Sequence, residues 1–244
     1  MKALALDTTT REGSVALVDD DRVVAEHAGD GTRTHALRLP SELIHLADAQ
    51  RLAMSDVDLF AVATGPGSFT GLRIGIATIQ GLAFVHGRKV VGVPALEALA
   101  HLAALGAAPD TWVAAWMDGH RREVFAGLYK VTAAAPFALD RVVEIEGATV
   151  GAPASTLARW SDAIAGAPIV FVGDGAVMYA DLIAGAEPQA RVLAPPLLAG
   201  AIGRLAVARS RLGEAVDPVG LHALYVRRPD AELARDLARR GEGA

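Results

Sequence analysis

Gly65-Pro66-Gly67-Ser68-Phe69-Thr70-Gly71-Leu72-Arg73-Ile74-Gly75 joins an apolar, strand-like run (residues 59–64) to an apolar helical run (72–86). Glycine admits positive φ and lets other backbone come close. The N–H groups that open the following helix form a natural anion site. No Lys-Ser or Lys-Thr follows, so the segment is not a Walker loop, and Thr70 stands where the third glycine of a dinucleotide fingerprint falls. Two readings stay open: a loop that meets a phosphate or a partner surface, and a tight strand-to-helix turn.

Upstream, Ala3–Asp7, Ser14–Val18 and Arg22–Glu26 read as three short strands, the last two joined by the Asp19-Asp20-Asp21 turn. A helix over roughly 35–50 carries Leu39, Leu43 and Leu46 on one stripe. Pro40 belongs in a first turn or at a kink, which predicts a start near Leu39. Downstream, a strand over 90–93 and a helix over 95–105 complete one unit. The second half repeats the order without residue-level identity: strands over 112–117, 123–129 and 137–145, a helix over 155–164, a strand over 169–172 and a helix over 176–183. A helix over 197–212 follows. Two meander-then-α/β units predict a two-lobed α/β protein, with lobes at 1–104 and 105–228. A peripheral tail over 229–244 carries Leu233 and Leu237 among alternating charges.

Of the 244 residues, 52% are hydrophobic and 21% charged, enough for a sizeable core. A net charge of −5 argues against nucleic-acid binding by a basic face of the chain alone. The absence of cysteine excludes disulfides, a thiolate nucleophile and a Cys-ligated metal. Asp7 arrives too early for a signal-type apolar segment, and no uninterrupted apolar run reaches spanning length; a cytoplasmic protein with no membrane association is the expectation.

Leu4-Ala5-Leu6-Asp7-Thr8-Thr9, the glycine segment, Gly92-Val93-Pro94-Ala95-Leu96-Glu97, Met117-Asp118 through Tyr129, Gly173-Asp174-Gly175 and Ala223-Leu224-Tyr225-Val226-Arg227 occur in the order seen in the TsaB (YeaZ) family, which the chain resembles over nearly its whole length. That resemblance implies a two-lobed actin-like, sugar-kinase-like ATPase fold of the ASKHA, ribonuclease H-like type. It implies a non-catalytic accessory subunit in the synthesis of threonylcarbamoyladenosine beside the tRNA anticodon. The implied partners are the catalytic paralogue TsaD, the ATPase TsaE and, through the complex, tRNA, with a homodimer when TsaD is missing. No cofactor and no metal are implied. The similar catalytic paralogue carries a metal-binding His-x-x-x-His after a Gly-Val strand end. Here those two positions are Ala95 and Leu99, whose methyl and isobutyl groups cannot ligate a metal.

In actin-like folds an acid and hydroxyl-rich turn after the first strand faces the phosphate-side metal, which singles out Asp7, Thr8 and Thr9. The alternative is an Asx turn that satisfies local backbone donors. Asp118 holds the equivalent place in the second unit. Gly173, Asp174 and Gly175 either approach an adenine or form a glycine turn with Asp174 at a helix N-terminus. Gly65, Gly67, Ser68, Thr70 and Gly71 complete the candidate vestigial phosphate loops. Ser68 and Thr70 lack a neighbouring base in sequence, and the Gly-x-Ser-x-Gly elbow is absent. The helix over 72–86 is apolar or small nearly all round, which predicts burial on more than one face. The resemblance implies that this helix and the one over 35–50 form the partner interface, with Leu39, Leu43, Leu46, Arg73, Gly75, Ile76, Ile79, Ala83 and His86 in it and His35, His45 and His86 as polar rim; the alternative is simple burial within the monomer. The rival readings are an actin-like phosphotransferase, with Asp7 and Asp118 holding a metal, and a metallopeptidase, which Ala95 and Leu99 disfavour.

Overall fold

Strand β1 (Lys2–Asp7) alternates alanine and leucine: Ala3 and Ala5 point to one side of the sheet, Leu4 and Leu6 to the other, and all four are fully buried. Burial on both faces is what helices on both sides of a sheet require. The computed structural model, which describes residues 1–227, supplies them. Strands β2 (Ser14–Asp19) and β3 (Arg22–Ala28) complete an antiparallel meander with β1, and β4 (Leu59–Gly65) and β5 (Lys89–Pro94) add in parallel, giving the order β3-β2-β1-β4-β5.

The second sheet repeats this design. Strands β6 (Trp112–Asp118), β7 (Val124–Val131) and β8 (Val142–Gly151) form the meander, and β9 (Ile169–Val172) and β10 (Arg191–Leu193) extend it in parallel, in the order β10-β9-β6-β7-β8.

Helices fill the remaining layers. The leucine face of the first sheet packs on α1 (His35–Ala49) and α2 (Phe69–Val85). Its alanine face packs on α3 (Ala95–Ala103) and α7 (Ala199–Arg211), and α3 also packs on the second sheet, with Val113, Ala115 and Met117 in the same core. The small Ala3, Ala5 and Ala16 let α7 come close, and a Cβ on Gly203 would lie 2.5 Å from Val18. The outer face of the second sheet, with Trp116 and Phe171, packs on α4 (Pro153–Ile164), α5 (Asp174–Met178) and α6 (Ala180–Ala186). The protein is thus a two-lobed α/β fold whose lobes share the α3–α7 layer.

Several local expectations change. Helix α1 starts at His35, with Pro40 inside it. The strand expected over 137–145 begins at Val142, because Phe137 takes a left-handed φ of 61° in the preceding turn. The helix expected over 176–183 is two short helices divided at Tyr179. The tail expected over 229–244 lies outside the described residues. Helix α7, in the second half of the chain, packs on β1, β2 and β4 of the first sheet.

Candidate functional site

The two strand ends that carry Asp7 and Asp118 open onto one cleft between the lobes. It comprises two adjoining hollows of about 610 and 540 Å³. Asp7, Glu12, Leu99 and Asp174 line the larger; Thr9, Ser68, Thr70, Asp118 and His120 line the other, which Asp174 also reaches.

Asp7 is 3% exposed, and its Oδ1 accepts from the Thr9 N–H at 2.9 Å and the Thr9 hydroxyl at 2.7 Å. This is the Asx turn offered by the alternative reading. Burial pushes the Asp7 carboxyl above the ordinary carboxylate range; the Thr9 bonds oppose that push, and the charge of Asp174 adds to it. Asp174 Oδ1 accepts from the N–H groups of Asp118 (3.0 Å) and Gly175 (2.9 Å), tying the start of α5 to the end of β6. Asp118 accepts from the His120 N–H at 2.8 Å, with the His120 ring 3.1 Å away. The three acids therefore face one cleft, each occupied with backbone donors. Among the described residues no three His, Asp or Glu side chains are grouped to hold a metal.

The glycines of the sequence motif are taken up by the protein's own backbone. A Cβ on Gly67 would lie 2.6 Å from the Thr9 carbonyl oxygen, on Gly71 2.2 Å from that of Thr8, and on Gly75 2.2 Å from the Thr8 hydroxyl. Gly65 is closed off by the Leu224 carbonyl at 2.8 Å, and Gly173 by that of Trp116 at 2.0 Å. Gly175 sits on Met117. The Ser68 N–H donates to the Thr9 carbonyl at 2.8 Å, and its hydroxyl caps α2 by accepting from the Gly71 N–H at 3.2 Å. The glycine loop is thus a dock for the β1 turn. Thr70 remains exposed at the mouth of the smaller hollow.

Sequence reasoning missed Arg38. Only 1% exposed, it donates to Glu42 at 2.6 and 2.8 Å, to the Glu12 carbonyl, and to His35 Nδ1 at 2.7 Å. His35 Nε2 meets the Thr10 carbonyl at 3.0 Å. A guanidinium only donates and a carbonyl only accepts, so His35 is neutral with its proton on Nε2. Its pKa is lowered by burial and by Arg38. The pair pins residues 10–13, one wall of the larger hollow, onto α1. The Arg38…Glu42 spacing of four was the available signal.

The expected interface residues divide sharply. Leu39, Leu43, Leu46, Ile79 and Ala83 are at most 1% exposed, Ile76 is 7%, and Gly75 is packed on Thr8. Those seven face the core, because an amphipathic helix turns its apolar stripe inward. Arg73 is exposed, and His86 is half-buried beside Phe60. The solvent side of α1 and α2 instead shows Leu37 (66% exposed), Ile44 (51%), Ala77, Gly81, Phe84 (81%) and Val85 (76%).

The family model described as TsaD, tRNA N6-adenosine threonylcarbamoyltransferase, matches residues 24–236. The solved structure titled YeaZ from Pseudomonas aeruginosa is 32% identical, with a TM-score of 0.74 over 92% of this chain and 99% of that one. The chain belongs to the TsaB/YeaZ family. Its TsaB/YeaZ relatives include the tRNA threonylcarbamoyladenosine biosynthesis protein TsaB of Bacillus subtilis, 33% identical over 53% of this chain and 56% of that protein. An uncharacterized Mycobacterium tuberculosis protein is 34% identical over 94% of this chain and 93% of its own length. The chain thus spans little more than half of the curated TsaB it matches. Component A of the Acidaminococcus fermentans (R)-2-hydroxyglutaryl-CoA dehydratase, 10% identical with a TM-score of 0.51, shares the TsaB/YeaZ fold alone.

Proposed function

We propose that this chain is a non-catalytic subunit in the synthesis of threonylcarbamoyladenosine on tRNA, docking on the catalytic paralogue TsaD through the outer face of α1 and α2. The observation that carries the reading is that face. Phe84, Val85, Leu37 and Ile44 stand in water on two adjacent helices, four large apolar side chains on one side of the lobe of the kind that mark a protein contact. Gly81 lies among them, and a Cβ there would meet nothing within 4 Å, so its smallness serves no contact inside the chain. It leaves a notch for another helix.

The cleft supports the non-catalytic half of the reading. Ala95 and Leu99, 0% and 1% exposed, offer only hydrocarbon where the resemblance implies metal ligands. Ser68 is spent as a helix cap. In this reading the loops around Asp7, Asp118 and Asp174 are vestiges of a nucleotide site; residues 1–104 are the partner-binding lobe, to which α7 returns, and the second lobe, expected over 105–228, is the second sheet with α4, α5 and α6. The complex recruits TsaE and meets tRNA in the cytoplasm, and the chain pairs with a second copy when TsaD is missing. No helix among the described residues is long and apolar enough to cross a membrane.

Light scattering on the chain, on its host's TsaD and on the mixture, with threonylcarbamoyl transfer to tRNA assayed on each, tests the proposal. A defined complex, active only as the mixture, is expected. Gly81→Arg and Phe84→Asp should weaken it at least tenfold while leaving the chain folded. The absence of a complex, with ATP turnover by this chain alone, would overturn the reading in favour of a phosphotransferase.

A further inference from the structure

After α7 the chain runs from 212 to 227 with only a single 3-10 turn at Pro218–Gly220, yet it is fixed at every few residues. Val216 pairs with Val90 on the free edge of β5, with both N–H···O distances 2.9 Å. The Gln80 amide of α2 donates to the carbonyls of Pro218 (2.7 Å) and Leu221 (3.1 Å). The Leu224 N–H reaches the Thr64 carbonyl at 2.8 Å. The Tyr225 ring packs on Phe69 at 5.3 Å, and its hydroxyl accepts from Arg73 at 3.3 Å. The segment then crosses to the second lobe. There Arg227 donates to the Gly119 carbonyl at 2.6 Å and to the Glu123 carboxylate, with its guanidinium 5.4 Å from the centre of the Phe125 ring.

Gly119 and Glu123 are the two ends of the β6–β7 turn. Between them His120, Arg121 and Arg122 have φ of 56°, 54° and 63°. Three successive side-chain-bearing residues in the left-handed region is an arrangement that persists only where its surroundings hold it. The turn's own bonds, Gly119 N–H to the Glu123 carbonyl and Glu123 N–H to the His120 carbonyl, close the loop at 2.9 Å each. Arg227 spans both ends from outside. The same turn places Asp118 and His120 in the wall of the interlobe cleft.

We propose that residues 212–227 form a strap and that Arg227 is its latch, a positioning residue that holds the strained turn and transmits to the cleft wall what happens where Tyr225 of the strap meets Phe69 and Arg73 of α2. The second half rests on the reading of α2 as the partner face. Hydrogen exchange on the full chain tests both halves. Alone, Arg227→Ala should speed exchange of the amides over 119–123 about tenfold and leave those of α2 within twofold. Arg227→Lys should restore part of the protection, and Glu123→Gln, which removes the charge from the other side, should speed exchange of the same amides. Unchanged turn exchange in Arg227→Ala and Glu123→Gln would overturn the latch whether or not any partner binds.

With TsaD added, the wild-type turn should change its exchange several-fold on docking. Arg227→Ala should dock with affinity within twofold of wild type but lose that response. A wild-type turn indifferent to docking, or one still responsive in Arg227→Ala, overturns the transmission. Failure of TsaD to bind the wild type overturns the partner reading and the transmission together, and leaves the latch to be decided by the partner-free arm.

Discussion

Arg38 and Glu42 form an ion pair one helical turn apart, at 2.6 Å, with the arginine 1% exposed and the carboxylate at 20%. The guanidinium also reaches the carbonyls of Arg11 and Glu12, so a single buried cation fastens the β1–β2 turn to α1. Removing one partner of a buried pair leaves the other uncompensated, typically at about 3–5 kcal/mol. Arg38→Met is expected to lose about 3 kcal/mol in urea unfolding, because Glu42 retains some water. Arg38→Lys should recover little, since a single ammonium cannot span the same acceptors.

Gly75 and Gly81 lie on the same helix and should respond oppositely to alanine. Gly75→Ala drives a methyl to 2.2 Å from the Thr8 hydroxyl and should destabilise by about 2 kcal/mol. Thr8→Ala in the same chain should return more than half of that loss, a coupling visible in a double-mutant cycle. Gly81→Ala meets nothing and should stabilise the isolated chain by about 0.5–1 kcal/mol through helix propensity.

His101 is 1% exposed, stacks on Phe137 at 5.8 Å, and has neither ring nitrogen hydrogen-bonded. Burial, with Arg209 and Arg141 nearby, lowers its pKa to about 4. The unfolded chain therefore takes up a proton near pH 6.5 that the folded chain refuses until about pH 4. The contribution to stability is complete above pH 6.5 and falls away as the pH drops towards 4, by on the order of 3 kcal/mol. His101→Leu should flatten that acid limb in denaturation measured from pH 7 to 4.

Asp7 runs the other way. Its carboxyl is pushed up by burial, so the folded chain holds the proton more tightly than the unfolded one. Stability from this group is present below the unfolded pKa and is lost as the pH rises through the folded value. Asn keeps an oxygen for the Thr9 donors. Asp7→Asn is expected to raise the melting temperature at pH 7, with the gain vanishing in acid. Equal melting temperatures at both pH values would contradict it.

Much of this was legible beforehand. The alternation in β1 to β3 and the continuous apolar runs of β4 and β9 announced both sheets, because burial periodicity is written directly into such strands. The glycine loop was legible as a site of close approach, but not what approaches: Thr8 and Thr9 lie some sixty residues away, and only the β1–β4 pairing brings them in. The Leu39, Leu43 and Leu46 stripe was assigned to the partner face because its periodicity says only that something covers it. Phe84 and Leu37 carry no periodic signal as solitary apolar residues on outer faces. Arg38 went unmarked, since burial of a charge depends on acceptors supplied by a distant turn.

Helix α7 caps the alanine face of a sheet whose first strand begins at residue 2, and its own N-terminus is held by Ser14 and Glu26. During synthesis, then, the opening lobe waits until α7 has been read. Until residue 211 has left the ribosome, Ala3, Ala5, Ala16 and Val18 lack their cover, and the nascent first sheet offers a bare, flat surface to whatever chaperone stands at the exit. Translation of α7 sets the clock for the first sheet.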